Sequence, residues 1–216
     1  MNQEDIQNIR SEYLAASLSE TDTNADPIKQ FDKWFNEALK AEVAEPTAMT
    51  LATATSDGRP SARIVLLKGF NNDGFVFYTN YLSRKGKEIA KNPLGSLLFF
   101  WVGLERQVRI EGIIEKVSRE ESEKYFHSRP RASQLGAIAS PQSQEIADRE
   151  ILENKFDEIE AQYADQEEIP KPSFWGGYIL KPRLIEFWQG RGSRLHDRIL
   201  YKKIDNKNWK KVRLAP

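Results

Sequence analysis

The chain has 216 residues, 39% of them hydrophobic and 30% charged, so it is long enough to bury a core and polar enough to stay soluble. Basic and acidic residues number 32 each, which argues against a general nucleic-acid-binding protein, because such proteins are normally basic. The absence of cysteine excludes disulfides, thiolate catalysis and zinc–thiolate sites. No apolar run approaches the roughly 20 residues of a membrane span. Since the acidic start is also unlike a signal peptide, we expect a cytoplasmic protein without a membrane partner.

Helices are predicted at the start of the chain. Apolar residues at helical spacing predict a helix over residues 4–18. Asp26 and Pro27 begin a second helix, because aspartate caps free N–H groups and proline fits the first turn.

The middle of the chain is predicted to be mostly strands. Turn residues at 56–60 and 71–74 separate segments rich in β-branched and aromatic residues. Ser83 can cap a short helix that ends near Lys91. The predicted strands are residues 49–54, 61–68, 75–79, 97–102 and 107–117. Strands at this spacing, joined mostly by hairpin turns, indicate an antiparallel barrel.

Helices then interrupt the strands. Ser118 and Glu121 have capping-box spacing, which predicts a helix to about His127, followed by a loop. A long amphipathic helix is predicted over residues 142–164. Returning strands are predicted at residues 178–180, 184–188, 199–204 and near 209–214. The predicted fold class is therefore mainly β with flanking helices, α+β.

Cations gather near the C-terminus around His196, one of only two histidines. Three arginines surround it and Trp188 precedes it. Because guanidinium groups are planar and permanently charged, this segment suits a flat anionic ligand. The alternative is a solvated charged loop after a strand. Four other segments that contain cationic residues are 63–68, 78–85, 107–111 and 125–134.

Arg84 and Lys85 fall in the first turn of the helix that Ser83 caps, where the helix dipole disfavours cations. A bound phosphate would resolve this conflict, and the alternative is an exposed basic turn. In the segment after His127, Arg129 and Ser133 are better ligand candidates than the histidine, whose expected role is a structural cation at a helix end. The clusters could serve two phosphates, one on a large flat cofactor and one on a small substrate.

On a strand, Gln107, Arg109 and Glu111 share one face, where an amide could bond to a heterocycle or simply lie on a polar outer face. Glycine-rich nucleotide motifs, a Ser–His–Asp order and metal-ligand spacing are all absent from the sequence, so no metal is expected.

Taken in order, these motifs resemble the pyridoxine (pyridoxamine) 5′-phosphate oxidase family of FMN-binding split barrels. The resemblance runs from about Pro46 to Pro216. It is carried by residues 46–49, 63–68, 77–80, 83–85, 104–108, 125–131, 172–177, 186–190, 194–198 and 213–216. The sequence departs from the family at Arg10-Ser11, where two adjacent arginines are common.

The resemblance implies an antiparallel split β-barrel that forms a homodimer with FMN between the subunits. Residues 1–25 would be an N-terminal segment and candidate lid, and residues 26–216 the FMN-binding domain with its dimerisation and substrate region. The implied FMN contacts are Arg63, Ile64, Val65, Leu66, Leu67, Lys68, Tyr78, Thr79, Arg84, Lys85, Gln107, Gln142, Ser143, Trp188 and Arg198. The implied substrate contacts are Lys68, Tyr125, Arg129, Ser133, Arg194, Leu195 and His196.

The implied reaction, part of vitamin B6 biosynthesis and salvage, oxidises pyridoxine 5′-phosphate or pyridoxamine 5′-phosphate to pyridoxal 5′-phosphate. O2 would be the acceptor, giving H2O2 and, from the amine, NH3. Arg194 and His196 would be the catalytic residues, the arginine for orientation because it stays charged and the histidine as a proton acceptor. Alternatives are a split-barrel flavin reductase, a non-catalytic flavin-binding protein, or a nucleic-acid-binding barrel that uses the basic C-terminal segment.

Overall fold

The computed structural model describes residue 8, residues 12–205 and residues 208–216. Within these residues the α-helices are α1 (Pro27–Lys40), α2 (Arg84–Lys91), α3 (Arg119–Ser128), α4 (Arg131–Ala139) and α5 (Arg149–Gln162). The strands are β1 (Ala48–Ala54), β2 (Pro60–Leu66), β3 (Gly69–Asn71), β4 (Gly74–Asn80), β5 (Leu94–Trp101), β6 (Arg106–Lys116), β7 (Trp175–Gln189), β8 (Asp197–Lys203) and β9 (Trp209–Leu214). Short 3₁₀ turns cover Val102–Leu104 and Gly192–Arg194.

The strands form a sheet with the order β2-β1-β5-β6-β7-β4-β3, and β8 pairs with both β7 and β9. The 15-residue β7 has two partners along its length, because its first part pairs with β4 and its last part with β8. The β3–β4, β4–β7, β7–β8 and β8–β9 pairings are all antiparallel, in agreement with the predicted antiparallel sheet.

The chain divides into two compact units. The first unit contains the described residues within 1–50, 97–111 and 182–216, and the second contains residues 51–96 and 112–181. In the first unit the rings of Trp34 and Phe187 meet edge to face with centroids 5.2 Å apart. In the second, Phe126, Leu135 and Trp175 belong to one buried cluster.

Three predicted helix starts are confirmed, each with the expected cap. Asp26 accepts a hydrogen bond from the Ile28 N–H at the start of α1, at 2.8 Å. Ser83 caps α2 and Ser118 caps α3 in the same way. These caps satisfy N–H groups that have no partner inside a helix.

In the predicted helix over residues 4–18, Asn8 is helical, but the prediction is wrong for residues 12–18, which are not helical. Residues 1–7 and 9–11 lie outside the described part. The backbone N–H of Ala15 donates to Glu105 at 2.9 Å, and that of Leu18 donates to Asp197 at 3.0 Å. Distant carboxylates therefore accept the hydrogen bonds that a helix would use internally.

Three further predictions need correction. The helix predicted over residues 142–164 begins only at Arg149, because Asp148 caps it and Ser143 has a left-handed φ of 71°. The loop predicted after His127 contains α4. The separate strands predicted at 178–180 and 184–188 are one continuous strand, β7. No helix in the described ranges combines the length and apolar character needed to cross a bilayer.

Candidate functional site

The second unit contains a cavity of about 710 Å³ formed by β2, β4, the first turn of α2 and the segment that joins α3 to α4. Its lining residues are Arg63, Ile64, Val65, Leu66, Lys68, Tyr78, Thr79, Lys85, Tyr125, Arg129, Pro130, Ser133, Gln142 and Trp175. All except Pro130 and Trp175 are residues that the sequence predicts for the cofactor or the substrate. The fold therefore brings together predicted residues that are far apart in sequence.

One wall of the cavity is β2, whose side chains alternate in exposure. Arg63 and Val65 are half-buried, whereas Ile64 and Leu66 are 64% and 39% exposed. Leu67 differs from the other residues of its predicted group, because its side chain is buried and does not line the cavity. A contact between Leu67 and a ligand in this cavity would have to use its backbone.

Glu88 on α2 is the centre of a buried network of hydrogen bonds. One carboxylate oxygen accepts hydrogen bonds from Thr53, Ser61 and Arg63, and the other accepts one from Arg84 at 2.9 Å. Burial alone would raise the pKa of Glu88, but these hydrogen bonds outweigh it and lower the pKa to about 2. Glu88 is therefore an anion at neutral pH, and its carboxylate connects two predicted FMN contacts, Arg63 and Arg84.

Lys85, another predicted FMN contact, is held differently. Its ammonium donates to Gln142 Oε1 at 2.9 Å and to Thr79 Oγ1 at 3.3 Å. It makes no ion pair with a carboxylate in the part of the chain that the structure describes. Burial, and then the nearby charge of Arg63, lower the pKa of Lys85. An anion bound here would offset both effects.

Arg84 and Ser143 line a neighbouring cavity of about 540 Å³ in the same unit. Gln142 lines both cavities. The structure thus separates Arg84 from the cavity that holds Arg63 and Lys85, although the carboxylate of Glu88 connects the two arginines.

Stacked aromatic rings form another part of the 710 Å³ cavity. Tyr78 lies on Tyr125 with ring centroids 3.8 Å apart, and the indole of Trp175 is 5.5 Å from Tyr78. The register of β4 with β7 places Gly177 opposite Tyr78. A Cβ at Gly177 would lie 2.8 Å from the Tyr78 ring, so glycine is needed there for the ring to lie across β7. Burial raises the pKa of Tyr78 to about 12, and this phenol stays neutral.

Arg129 lies on the aromatic wall, with its guanidinium carbon 4.8 Å from the centroid of the Trp175 ring. Its Nη1 atom is buried and has no hydrogen-bond partner among the described residues. Burial lowers the pKa of Arg129, although a guanidinium remains charged at neutral pH. Lys68 and Ser133 line the same cavity. These three residues offer an anion two positive charges, a hydroxyl and an unsatisfied donor.

The first unit holds the remaining predicted residues, beginning with a second shared carboxylate. Glu186 on β7 is buried and accepts hydrogen bonds from Arg198 at 2.7 Å and from Arg109 at 2.6 Å. Its hydrogen bond raises the pKa of Arg198. Gln107 is half-buried on the same strand face as Arg109, as the alternation predicts.

His196 packs against Trp188, with ring centroids 4.6 Å apart, and Tyr13 contacts both rings at 5.7 Å. Its Nδ1 atom accepts a hydrogen bond from the Arg191 backbone N–H at 3.1 Å. In a neutral imidazole this hydrogen bond puts the proton on Nε2, so the free nitrogen of the ring is a donor. The proton-acceptor role expected from the sequence would require a different tautomer and the loss of this bond.

Arg194 and Leu195 are exposed in the loop that follows β7. Ser193 and Arg194 have left-handed φ angles of 56° and 60°. Such backbone conformations are uncommon for residues other than glycine and recur at functional sites. The backbone that carries the Arg194 side chain is therefore in a sparsely populated conformation.

Comparison with known proteins identifies the family. Residues 35–163 match the family model for pyridoxamine 5′-phosphate oxidase, and residues 175–216 match a model described as the pyridoxine 5′-phosphate oxidase C-terminal dimerisation region. The chain belongs to the pyridoxine/pyridoxamine 5′-phosphate oxidase family.

Relatives in this family align along almost the whole chain. The pyridoxine/pyridoxamine 5′-phosphate oxidase of Herminiimonas arsenicoxydans is 57% identical over 211 residues, covering 98% of this chain and 99% of that protein. The protein of the same name from Salinibacter ruber is 55% identical over 212 residues, with 98% and 99% covered. The family resemblance stated from the motifs is therefore confirmed, as is the prediction that the chain is an oxidoreductase.

Solved structures support the fold. PhzG from Burkholderia lata 383, in complex with tetrahydrophenazine-1-carboxylic acid, has a TM-score of 0.86 and 34% identity, with 94% of this chain and 99% of that chain covered. A pyridoxamine 5′-phosphate oxidase-related, FMN-binding protein from Nostoc punctiforme has a TM-score of 0.69 at 18% identity, with 93% and 100% covered. The predicted fold, a mainly β antiparallel split barrel with flanking helices, is confirmed.

The donor set of the second unit fits the phosphate of FMN. Arg63, Arg84 and Lys85 carry three positive charges and Glu88 carries one negative charge, which leaves a surplus of two. A phosphate monoester has a charge of about −1.5 to −2 at neutral pH. Lys85 also lacks a carboxylate partner among the described residues, so an anion is the counter-ion that this group of side chains still needs.

Sequence reasoning missed Glu88 and Trp175. Glu88 stands in a helix between lysines, a pattern that usually indicates a solvated face, yet it is 5% exposed. The signal that could have found it is its spacing of four residues from Arg84, which allows an ion pair on one helix face. Trp175 falls in the family-like segment 172–177 but looks like a core residue, and only its position opposite β4 reveals the cavity.

Proposed function

We propose that this chain is an FMN-dependent oxidase that converts pyridoxine 5′-phosphate or pyridoxamine 5′-phosphate to pyridoxal 5′-phosphate. The alcohol substrate and one O2 would give the aldehyde and one H2O2. The amine substrate would also consume one water and release one NH3. The names of the relatives that align over 98% of the chain support this substrate class.

One observation carries the proposal: a single cavity is lined by four cationic side chains and by the Tyr78 ring. The cations are Arg63, Lys68, Lys85 and Arg129. We assign Arg63 and Lys85 to the phosphate of the cofactor, and Lys68 and Arg129 to the phosphate of the substrate. Two phosphates can therefore be gripped in one cavity, as a phosphorylated cofactor and a phosphorylated substrate require. Charge-assisted hydrogen bonds to phosphate are strong and directional, so they can also set the distance between the two molecules.

FMN would be held by its phosphate at Arg63 and Lys85, and at Arg84 from the neighbouring cavity, with the amide of Gln142, which lines both cavities, adjacent. Bound FMN would supply the redox chemistry, as the acceptor of the substrate's hydride and the donor of electrons to O2. In the first unit, Gln107, Trp188 and Arg198 would contact its ring system. The match to a dimerisation region supports a homodimer, in which we place FMN at the subunit interface.

The chain itself would bind and orient the substrate. Arg129, Lys68 and Ser133 would bind the substrate phosphate, with the Tyr125 hydroxyl beside them, and this contact would fix the pyridine ring that carries the reacting 4′ carbon. Arg194 would orient the pyridine ring through its permanent charge. His196 would donate a hydrogen bond from Nε2 to the 4′ substituent, because its Nδ1 already accepts one from the backbone.

The cytoplasmic location expected from the sequence remains part of this proposal. Cell fractionation with an antibody against the chain would test it: recovery in the soluble fraction beside a cytoplasmic marker supports it, and recovery with the membranes contradicts it.

The test of the reaction is stoichiometric. The purified protein should be yellow, release FMN on heating, and form pyridoxal 5′-phosphate and H2O2 in equal amounts from pyridoxine 5′-phosphate. Unphosphorylated pyridoxine should be a poor substrate, because Lys68 and Arg129 then have no phosphate to bind. Bound FMN without turnover would favour the flavin reductase or non-catalytic alternative, and a colourless protein that cannot take up FMN would contradict the whole proposal.

A further inference from the structure

Arg129 is held in a way that differs from other arginines of the predicted site. Arg63, Arg84 and Arg198 each pair with a buried glutamate. Arg129 makes no ion pair with any carboxylate in the described ranges, and its Nη1 atom is buried without a hydrogen-bond partner. A half-buried cation without a counter-ion is costly, so other groups must keep it in place.

The groups that contact the Arg129 guanidinium are aromatic. Its central carbon lies 4.8 Å from the Trp175 ring centroid and 6.0 Å from that of Phe126. A guanidinium over the face of an aromatic ring is attracted by the ring quadrupole, most strongly for tryptophan. This attraction leaves the positive charge of the arginine available, whereas a carboxylate partner would neutralise it.

The Trp175 ring is held in place by its buried neighbours. Its indole is 6% exposed, meets Phe126 edge to face at 5.3 Å and stacks with Tyr78 at 5.5 Å. It is the first residue of β7 and pairs in register with Asn80 on β4. A ring fixed by the core on one side and lining the cavity on the other can hold a mobile arginine side chain in one position.

We propose that Trp175 is a positioning residue for the substrate phosphate. Its indole face holds the Arg129 guanidinium at the cavity in the absence of a carboxylate, so that the full charge and the unsatisfied Nη1 donor are kept for the phosphate of the substrate. This inference rests on the proposed function, because it assumes that the anion bound at Arg129 is the phosphate of a pyridoxine or pyridoxamine 5′-phosphate molecule.

The test compares Trp175→Phe and Trp175→Leu in the FMN-loaded protein. Removing the ring should raise KM for pyridoxine 5′-phosphate about tenfold in Trp175→Leu, and the weaker ring of phenylalanine should limit the rise to about threefold. The value of kcat and the affinity for FMN should stay within about twofold, because the phosphate is a part of the substrate that does not react and its contacts are the same in the ground state and the transition state. Binding of pyridoxal 5′-phosphate, measured by equilibrium dialysis, should weaken by the same factors, whereas binding of pyridoxal should not change.

Trp34→Phe is the matched control. Trp34 is also buried under an arginine, with the guanidinium carbon of Arg106 4.5 Å from its ring, but this pair lies in the first unit and Arg106 has Glu37 as its partner. Trp34→Phe weakens the same kind of contact as Trp175→Phe and should leave KM unchanged. An equal rise of KM in Trp34→Phe would show a general effect of lost packing and overturn the inference.

A double-mutant cycle separates positioning through Arg129 from other effects. In an Arg129→Leu background, Trp175→Phe should add almost nothing to KM, because the ring then has no guanidinium to hold. If Trp175→Phe raised KM by the same factor with and without Arg129, the inference would be overturned. It would also be overturned if KM were unchanged in both Trp175 variants of an active protein. If the unmodified protein neither binds pyridoxal 5′-phosphate nor oxidises the substrates, the proposed function itself fails.

Discussion

Arg63 and Arg129 line the same cavity but are held in opposite ways. Arg63 shares the buried carboxylate of Glu88 with Arg84, and it also donates to the hydroxyls of Thr53 and Ser61. Arg129 has no such partner among the described residues and lies on the ring of Trp175. One arginine is therefore fixed by hydrogen bonds and partly neutralised, and the other is fixed by an aromatic face and keeps its full charge.

This difference suits two ligands with different residence times. A cofactor that stays bound benefits from a rigid site, because little side-chain freedom is lost on binding. A substrate that must leave after each turnover benefits from one strong charge that is not built into a network. Breaking either arrangement should thus affect one ligand and spare the other.

The largest expected effect is from Arg129→Leu. Removing a charge-assisted contact to phosphate should raise KM for pyridoxine 5′-phosphate about 100-fold. FMN content should remain that of the unmodified protein, because Arg129 makes no contact with the Glu88 network. Steady-state kinetics together with flavin absorbance after heat release measures both quantities.

Arg131→Leu is the control for this change. Arg131 is exposed two residues away, donates to the backbone oxygen of Tyr163 and does not line the cavity. It should leave KM within about twofold, as expected for a surface substitution. Loss of FMN in Arg129→Leu would mean that Arg129 binds the phosphate of FMN and not that of the substrate.

The next effect concerns stability and the charge of Glu88. Its pKa of about 2 lies below the ordinary value of 4.5, so the folded state prefers the ionised form. The resulting stabilisation is complete above about pH 5 and is lost as the pH falls towards 2. Glu88→Gln should therefore cost about 2 kcal/mol at pH 7, and the gap to the unmodified protein should close at pH 2 to 3.

Urea unfolding followed by tryptophan fluorescence, at one protein concentration and without added FMN, measures this gap. Glu123→Gln is the matched control, because Glu123 forms an ion pair of the same spacing with Arg119 on α3 but at the surface. It should change stability by less than about 0.5 kcal/mol at any pH. A gap for Glu88→Gln that stays constant down to pH 2.5 would contradict the role of its ionisation.

Much of the site could be predicted because its residues occur in compact motifs. The alternation in β2, the Ser83 cap and the cations at the start of α2 are local features, and they locate Arg63 and Lys85 correctly on a strand and a helix. The antiparallel sheet likewise follows from hairpin turns and strand composition. The family resemblance adds the order of the motifs, which no single segment contains.

Other features depend on contacts between distant segments, and sequence patterns cannot report them. Residues 12–18 have helical apolar spacing, yet carboxylates from β8 and the β5–β6 connection take up their N–H groups. The helix predicted from residue 142 overlooked Asp148, whose side chain caps the Ile151 N–H and marks the true start. Glu88 is buried because Thr53, Ser61 and two arginines surround it, and its neighbours in the sequence give no sign of that.

Lys85→Met should have the smallest effect, and it tests whether the FMN phosphate and the substrate phosphate bind at different side chains. Among the residues that the structure describes, Lys85 donates only to Gln142 and Thr79, and we expect it to contribute one charge to FMN phosphate binding. The dissociation constant of FMN should rise about tenfold, whereas that of riboflavin, which has no phosphate, should not change. Flavin fluorescence quenching measures both constants. Lys124→Met removes an equal charge from the exposed face of α3 and should affect neither. KM for pyridoxine 5′-phosphate at saturating FMN should stay unchanged, because that phosphate binds at Arg129. If the dissociation constant of riboflavin rose as much as that of FMN, Lys85 would support the fold of the cavity and would not act on the phosphate.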